Sequence, residues 1–338
     1  MHKAVSSFLE TLNADLSTLT YLLLLAGSAA TLFQFDVKDH SYVLRILPSH
    51  ANHLTRMHEI QLAQCAGEMG VGPKMHFVDP HLEAHITDFI PGRTVHPRDF
   101  QNTYSLERFA QLLQKLHRSS LKFPVACSPF QRFHNFLEKR EQRGLALSPK
   151  LSKMKRVMET IEAVFQLHEI PLVPCHLDLH SSNIMLVRED FLLVDWVNGG
   201  FSNPYFDLAT FAIFHGLNDL QMRAFLTHYF GHPLDELEWS LFIVAQPVRL
   251  FVIAIACLSA VPEEITFYND GLVNFETTSL RDYIHMDANE KINLSPWKIG
   301  LIMLKAGLNR IEGKNFKNSL QYLQDAVLRG ILEKQTGA

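Results

Sequence analysis

Cysteine is scarce in this chain, and its four copies, Cys65, Cys127, Cys175 and Cys257, stand far apart with no C-x-x-C pairing. That excludes a disulfide framework and a thiolate zinc site, and suits reduced thiols used as small hydrophobes. The eighteen histidines include no H-E-x-x-H run, so a zinc hydrolase is not indicated either. A basic surplus is missing: the formal net charge is −4, which leaves no electrostatic footprint for nucleic acid. No internal repeat or low-complexity tract is present. With 47% hydrophobic and 20% charged residues over 338 positions, the chain reads as an ordinary globular protein, long enough for two lobes.

Charge is also missing locally. None falls between Asp15 and Asp36, and the stretch 19–33 is largely apolar, about the length that crosses a bilayer. Ser17, Thr18, Thr20, Gly27, Ser28, Thr31 and Gln34 interrupt it, and no basic cluster flanks it. Glu10 and Asp15 upstream also spoil a secretory signal. Two buried strands around a turn are expected instead. A second apolar run, 241–261, carries Gln246, Pro247 and Arg249 in its middle, which points to a kinked core helix. A cytoplasmic protein with no membrane partner is the expectation.

The residues that are present alternate strand and helix signals. A helix within 1–20 leads into strands at 21–26, 31–37 and 42–47, joined by turns at 27–30 and 38–41. An amphipathic helix at 52–69 stops at Gly70, since Val71-Gly72-Pro73 forbids its continuation. Strands at 75–79 and 85–89 follow, and Pro91-Gly92 marks a boundary. Beyond it, helices are expected at 106–117, 208–217, 220–230, 236–260 and 297–311. The class is α+β: a small lobe over 1–91 with a five-stranded antiparallel sheet plus helix, and a large, mostly helical lobe over 92–338.

Residues 174–195 carry the chemistry. His176, Asp178 and Asn183 form H-x-D-x-x-x-x-N, followed by an apolar strand and Asp195. Phosphoryl transfer from Mg·ATP needs a carboxylate to take the proton of the attacking hydroxyl, and an amide oxygen with a second carboxylate to hold Mg²⁺. Asp178, Asn183 and Asp195 offer those groups in that order. A turn between two buried strands with incidental polar residues is the bland alternative, which four spaced positions make hard to sustain.

With its flanks, His176-Leu177-Asp178-Leu179-His180-Ser181-Ser182-Asn183, then Val194-Asp195-Trp196 and Asp207-Leu208-Ala209, the run resembles the aminoglycoside phosphotransferase and choline kinase superfamily. That resemblance implies a bilobal protein-kinase-like fold, ATP and Mg²⁺ as cofactors, and a small-molecule acceptor. Two positions depart from the family pattern: Leu177 stands where glycine is usual, and Val197 where an acid is usual.

The resemblance also distributes roles. Asp178 is the base and His176 braces its loop, with Asn183 and Asp195 on the metal. Arg45, in Val43-Leu44-Arg45, matches the family's phosphate-contacting cation; an edge-strand charge facing water is its plain alternative. Glu59, in Arg56-Met57-His58-Glu59, is the acid that would orient Arg45, with Glu68 as the rival. Ser28 lies in the first turn, a glycine-poor loop whose N–H groups could cradle phosphate; a plain hairpin turn is the alternative. Asp88 and Ile90 fall in the hinge, where backbone groups would meet adenine. Asp207 is a loop-anchoring acid by resemblance, and a helix N-cap on local grounds.

Only twelve positions separate Asp195 from Asp207, with no A-P-E motif between them, so the substrate platform of a protein kinase has no room. Seven acids between 262 and 291, together with Trp196, Trp239 and Trp297, are compatible with a cationic acceptor such as choline, ethanolamine or thiamine; a solvated acidic loop and core tryptophans are the plain alternative. An aminoglycoside acceptor and a non-catalytic nucleotide-binding module are the alternatives.

Overall fold

The computed structural model describes residues 3–12, 21–26, 30–120, 126–144, 147–259, 278–286 and 294–336. Period-two alternation of side chains dictates its first layer. β1 (Tyr21–Ala26), β2 (Thr31–Val37), β3 (His40–Ile46), β4 (Met75–Val78) and β5 (Ala84–Asp88) make one antiparallel sheet in the order β1-β2-β3-β5-β4. Residues 21–26 of the uncharged run therefore form a strand pair with 31–37, with Tyr21 opposite Phe35 and Ala26 opposite Thr31.

One face of the sheet is apolar. Phe35, Tyr42, Leu44, Ala84 and Ile86 are buried there with Ala4, Val5, Phe8 and Leu9 of α1 (Lys3–Leu12). The Phe8 ring stands edge-on to Tyr42 at 5.1 Å and to Phe35 at 6.3 Å, the geometry that aromatic quadrupoles favour. A strand's side chains alternate between faces, so Arg45 falls on the opposite face. It sits on the central strand rather than an edge, level with Leu32 of β2 and His85 of β5.

α2 (His53–Met69) begins where the Asn52 side chain accepts from the Thr55 N–H. It ends at Gly70, whose left-handed φ of 64° lets its N–H turn back to the carbonyls of Ala66 and Gly67. Val71 and Gly72 also donate to Ala66 O. Past the hinge, β6 (Arg93–Thr94) pairs with β8 (Ile184–Val187), and β8 forms a hairpin with β9 (Asp190–Leu193). Gly92 has no room for a side chain: a Cβ there would lie 2.4 Å from the Leu186 carbonyl oxygen.

The chain clusters into two compact units. One comprises 1–95, 107–126 and 174–201; the other comprises 96–106, 127–173 and 202–338. The second is organised around α8 (Glu236–Ser259), with α4 (Pro129–Gln142), α5 (Pro149–Leu167), α6 (Tyr205–Phe214), α10 (Pro296–Glu312) and α11 (Lys314–Thr336) packed on it. α8 is long and apolar enough to cross a membrane, but 83% of its most apolar 18-residue stretch is buried, so it is a core helix. Its mid-run polar residues have partners: Arg249 Nε donates to Thr210 Oγ1 at 2.8 Å, and Gln246 Oε1 accepts from Arg310 Nε at 3.0 Å.

α6 starts three residues earlier than the pattern suggests, after Pro204, and ends ahead of Gly216, whose φ is 62°. Asp207 is therefore not an N-cap. Pro204 holds that position, and Asp207 lies fully buried in the first helical turn, where a negative charge suits the helix dipole.

Candidate functional site

The first unit brings together residues that lie far apart in sequence. Arg45 Nε donates to Glu59 Oε1 at 2.8 Å, and its Nη2 donates to Asp195 Oδ1 at 2.9 Å. The guanidinium thus joins the central strand, α2 and the segment after β9. Burial pushes the Glu59 carboxyl above its ordinary range; the Arg45 charge opposes that rise and the Asp195 charge adds to it. Glu68, the rival acid, takes a hydrogen bond from Gln64 on the exposed side of α2.

Asp195 is held from several directions. Its backbone is left-handed, at φ 63° and ψ 77°, a conformation that a non-glycine residue adopts only when its surroundings impose it. Leu193 N–H donates to Val71 O at 2.8 Å, and Val194 N–H to Asn183 O at 3.0 Å. Trp196 is buried to 2% exposure, with its indole N–H on Leu193 O and its ring 4.6 Å from that of His176. His176, fully buried, donates through Nε2–H to Val194 O at 2.9 Å. This tautomer follows because a carbonyl can only accept.

β7 (Val173–Cys175) leads into the loop that carries the remaining groups. Leu177 is buried at φ 61°, so its place in the left-handed region is the one that the usual glycine would occupy at no steric cost. Asp178 Oδ2 accepts from two amides, Asn183 Nδ2 at 3.2 Å and Asn198 Nδ2 at 3.1 Å. Asn183 also donates to the Asp178 carbonyl at 2.9 Å. His180 lies beside both, its Nε2 3.2 Å from Asn183 Nδ2 and 3.6 Å from Asp178 Oδ2.

These donors suit a hard cation. With its NH₂ committed to Asp178, Asn183 turns its carbonyl oxygen the other way, and Asp195 adds a carboxylate of intermediate exposure. An amide oxygen and a carboxylate are the ligand types that Mg²⁺ takes.

In the hinge, the Asp88 side chain is engaged by His76 Nε2 at 2.6 Å, and its N–H donates to Lys74 O at 2.9 Å. Ile90 accepts from Gly92 N–H at 2.8 Å. Only main-chain groups at Asp88 and Ile90 therefore bear on the adenine expectation. Ser28 lies outside the described residues, as do most of the acids of 262–291; Asp282 is described, in α9 (Leu280–His285), where its carboxylate caps that helix through Ser279. Arg223 stacks over the Trp239 ring at 3.9 Å.

Asn198, His180 and His85 were not singled out from sequence. His85 of β5, level with Arg45, is buried, and its Nδ1 has no hydrogen-bond partner among the described residues. A lone histidine in an apolar strand reads as core, and Asn198 falls just beyond the motif. His180 does lie inside the motif, two residues after Asp178, and that spacing was the available signal.

The fold recurs in solved structures. A choline/ethanolamine kinase family protein from Mesorhizobium loti superposes with a TM-score of 0.69 at 21% identity, over 90% of this chain and 92% of the other. Choline kinase LicA from Streptococcus pneumoniae superposes at 0.63 with 13% identity, over 92% and 98%. By sequence, Protein LicA of Haemophilus influenzae is 28% identical over 107 residues, which is 31% of this chain and only 39% of that relative's length. The choline/ethanolamine kinase family model matches residues 18–221, more than half of the chain. With a match of that extent and a kinase-like fold, this chain belongs to the choline/ethanolamine kinase family.

Proposed function

We propose that this chain is an ATP-dependent small-molecule kinase that phosphorylates the hydroxyl of a small cationic alcohol of the choline or ethanolamine type. The observation that carries the reading is the shared framework of Asp178, Asn183 and Asp195, with Arg45 tied to both Glu59 and Asp195. Family membership supports the acceptor class. The same proposal assigns nucleotide to the lobe over 1–91 and acceptor to the lobe over 92–338. A cytoplasmic location is part of the same proposal.

The acceptor hydroxyl oxygen attacks the γ-phosphorus, the new O–P bond forms as the bond to the β-phosphate oxygen breaks, and ADP leaves. Asp178 accepts the hydroxyl proton, with its Oδ2 held by two amide donors. Arg45 contacts the phosphates, oriented by Glu59. The Asp88 carbonyl and the Ile90 N–H meet adenine, and the turn containing Ser28 covers the phosphates. His176 fixes the loop against Val194. Mg²⁺, held by Asn183 Oδ1 and the Asp195 carboxylate, would neutralise charge on the phosphates.

The test is Asp178→Ala, assayed for ADP release with choline and with ethanolamine. Turnover should fall about 10²–10⁴-fold, the usual contribution of a positioned base, while thermal stabilisation by Mg·ATP persists. Full turnover in that variant overturns the assignment. Wild-type protein that is stabilised by Mg·ATP yet phosphorylates nothing would favour a non-catalytic nucleotide-binding module.

A further inference from the structure

We infer that Asn198 is a positioning residue of the catalytic carboxylate: its side-chain amide, together with that of Asn183, holds Asp178 Oδ2. This rests on the reading of Asp178 as the base, and goes beyond it by naming a residue outside the motif. Two donors at 3.1 and 3.2 Å on one oxygen set the rotation of the carboxylate about its Cβ–Cγ bond. A base must present a defined oxygen to the hydroxyl it deprotonates, and small misplacements cost rate steeply.

The backbone around Asn198 is built to hold that contact. Trp196–Asn198 is a single helical turn, closed where Gly199 N–H donates to Trp196 O at 3.0 Å. Buried Trp196 anchors one end of the turn. At the other end Gly199 packs so closely that an added Cβ would lie 3.2 Å from Cys175 O and 3.3 Å from the Leu62 side chain. Between these anchors, Val197 is 41% exposed while Asn198 reaches the catalytic loop. The polar group following Asp195-Trp196 thus stands one residue later than the acid of the family pattern. It is an amide that donates to Asp178, where a carboxylate would repel it.

Full-length wild type, Asn198→Ala and Asn198→Asp are compared in steady state with choline and with ethanolamine, alongside thermal shift with Mg·ATP. Asn198→Ala should lower kcat about 10- to 100-fold, less than loss of the base itself, with KM for ATP and the Mg·ATP thermal shift within about twofold. Asn198→Asp keeps the shape but can neither donate nor avoid repulsion, so it should be the slower variant. A merely structural asparagine predicts the reverse order, with the isosteric aspartate tolerated and activity following the melting temperature. That order, or two variants with wild-type kcat, overturns the proposal while leaving Asp178 in its role. A wild-type protein that turns over no hydroxyl acceptor overturns both.

Discussion

Arg45 and Asp195, 150 positions apart, are joined by a hydrogen bond of 2.9 Å from Nη2 to Oδ1, while Nε of the same guanidinium binds Glu59 at 2.8 Å. One planar fork thereby sets the spacing between β3, α2 and Asp195. Lysine, a single point charge, cannot serve both acids with that geometry. Arg45→Lys should therefore raise KM for ATP about 10- to 100-fold. Glu59→Gln keeps the shape but replaces a charge-assisted bond by a neutral one, a loss of about 1–2 kcal/mol and so roughly tenfold in KM. Steady-state titration of ATP checks both, and unchanged KM values would remove Arg45 from the phosphate site.

Leu177 makes a second prediction, because its backbone is left-handed and its side chain is buried. An L-residue pays about 1–2 kcal/mol for that conformation, and glycine does not. Truncation to either Ala or Gly removes the same apolar side chain, but only Gly relieves the backbone. Leu177→Gly should therefore be the more stable of the two by about 1 kcal/mol, inverting the usual order in which Gly is the weaker residue. Urea unfolding of the pair decides it: a more stable alanine variant would mean that the loop carries no such strain.

How much of this was legible in the sequence depends on the range of the signal. Asp178, Asn183 and Asp195 lie on one short loop and hairpin, so their spacing survives in the linear pattern. Arg45 within an apolar alternation and Glu59 on an amphipathic helix were readable because a buried cation needs an acid. Asn198 was not readable: it falls in the unpatterned gap between Val197 and Asp207, and only the closed turn Trp196–Asn198 brings its amide back to Asp178. His85 was missed because cross-strand register, which sets it level with Arg45, is a long-range property. Asp207 looked like a cap because the Pro204 start of α6 was not recognised. Trp196 is core beside His176, and the Trp239 ring is covered by Arg223.

His85 supplies a pH dependence. Its imidazole is pushed down from 6.5 to about 3, first by burial and then by the nearby Arg45 charge. The folded state therefore holds it neutral, while the unfolded chain takes up a proton below about pH 6.5. A group with a depressed folded value contributes stability that is complete above its unfolded value and is lost as the pH falls toward the folded one. The loss should develop between about pH 6.5 and 3 and reach up to ~5 kcal/mol, at 1.36 kcal/mol per pH unit. Carboxylates also titrate in that window, so the measurement is the difference between wild type and His85→Leu. The stability gap should move in favour of the leucine variant as the pH falls from 7 to 4, and a constant gap would show that His85 is not held neutral.

Gly307 tests how the core of the second unit is built. On α10 it faces Phe251 of α8, and a Cβ at Gly307 would stand 2.3 Å from Phe251 Cε1 and 2.7 Å from Cδ1. Phe251 is fully buried, so its ring cannot swing clear into solvent. Alanine in a helix interior ordinarily gains about 1 kcal/mol over glycine, but overpacking of this kind costs about 1–3 kcal/mol. Gly307→Ala should therefore destabilise the protein, by about 1 kcal/mol net. Phe251→Leu shortens the opposing side chain and opens a cavity of its own. Combining the two should cost less than their sum, because the new methyl occupies part of the space the ring vacated. A double-mutant cycle in urea reads that coupling; strict additivity would mean that α10 and α8 do not meet at this glycine as closely as the geometry requires.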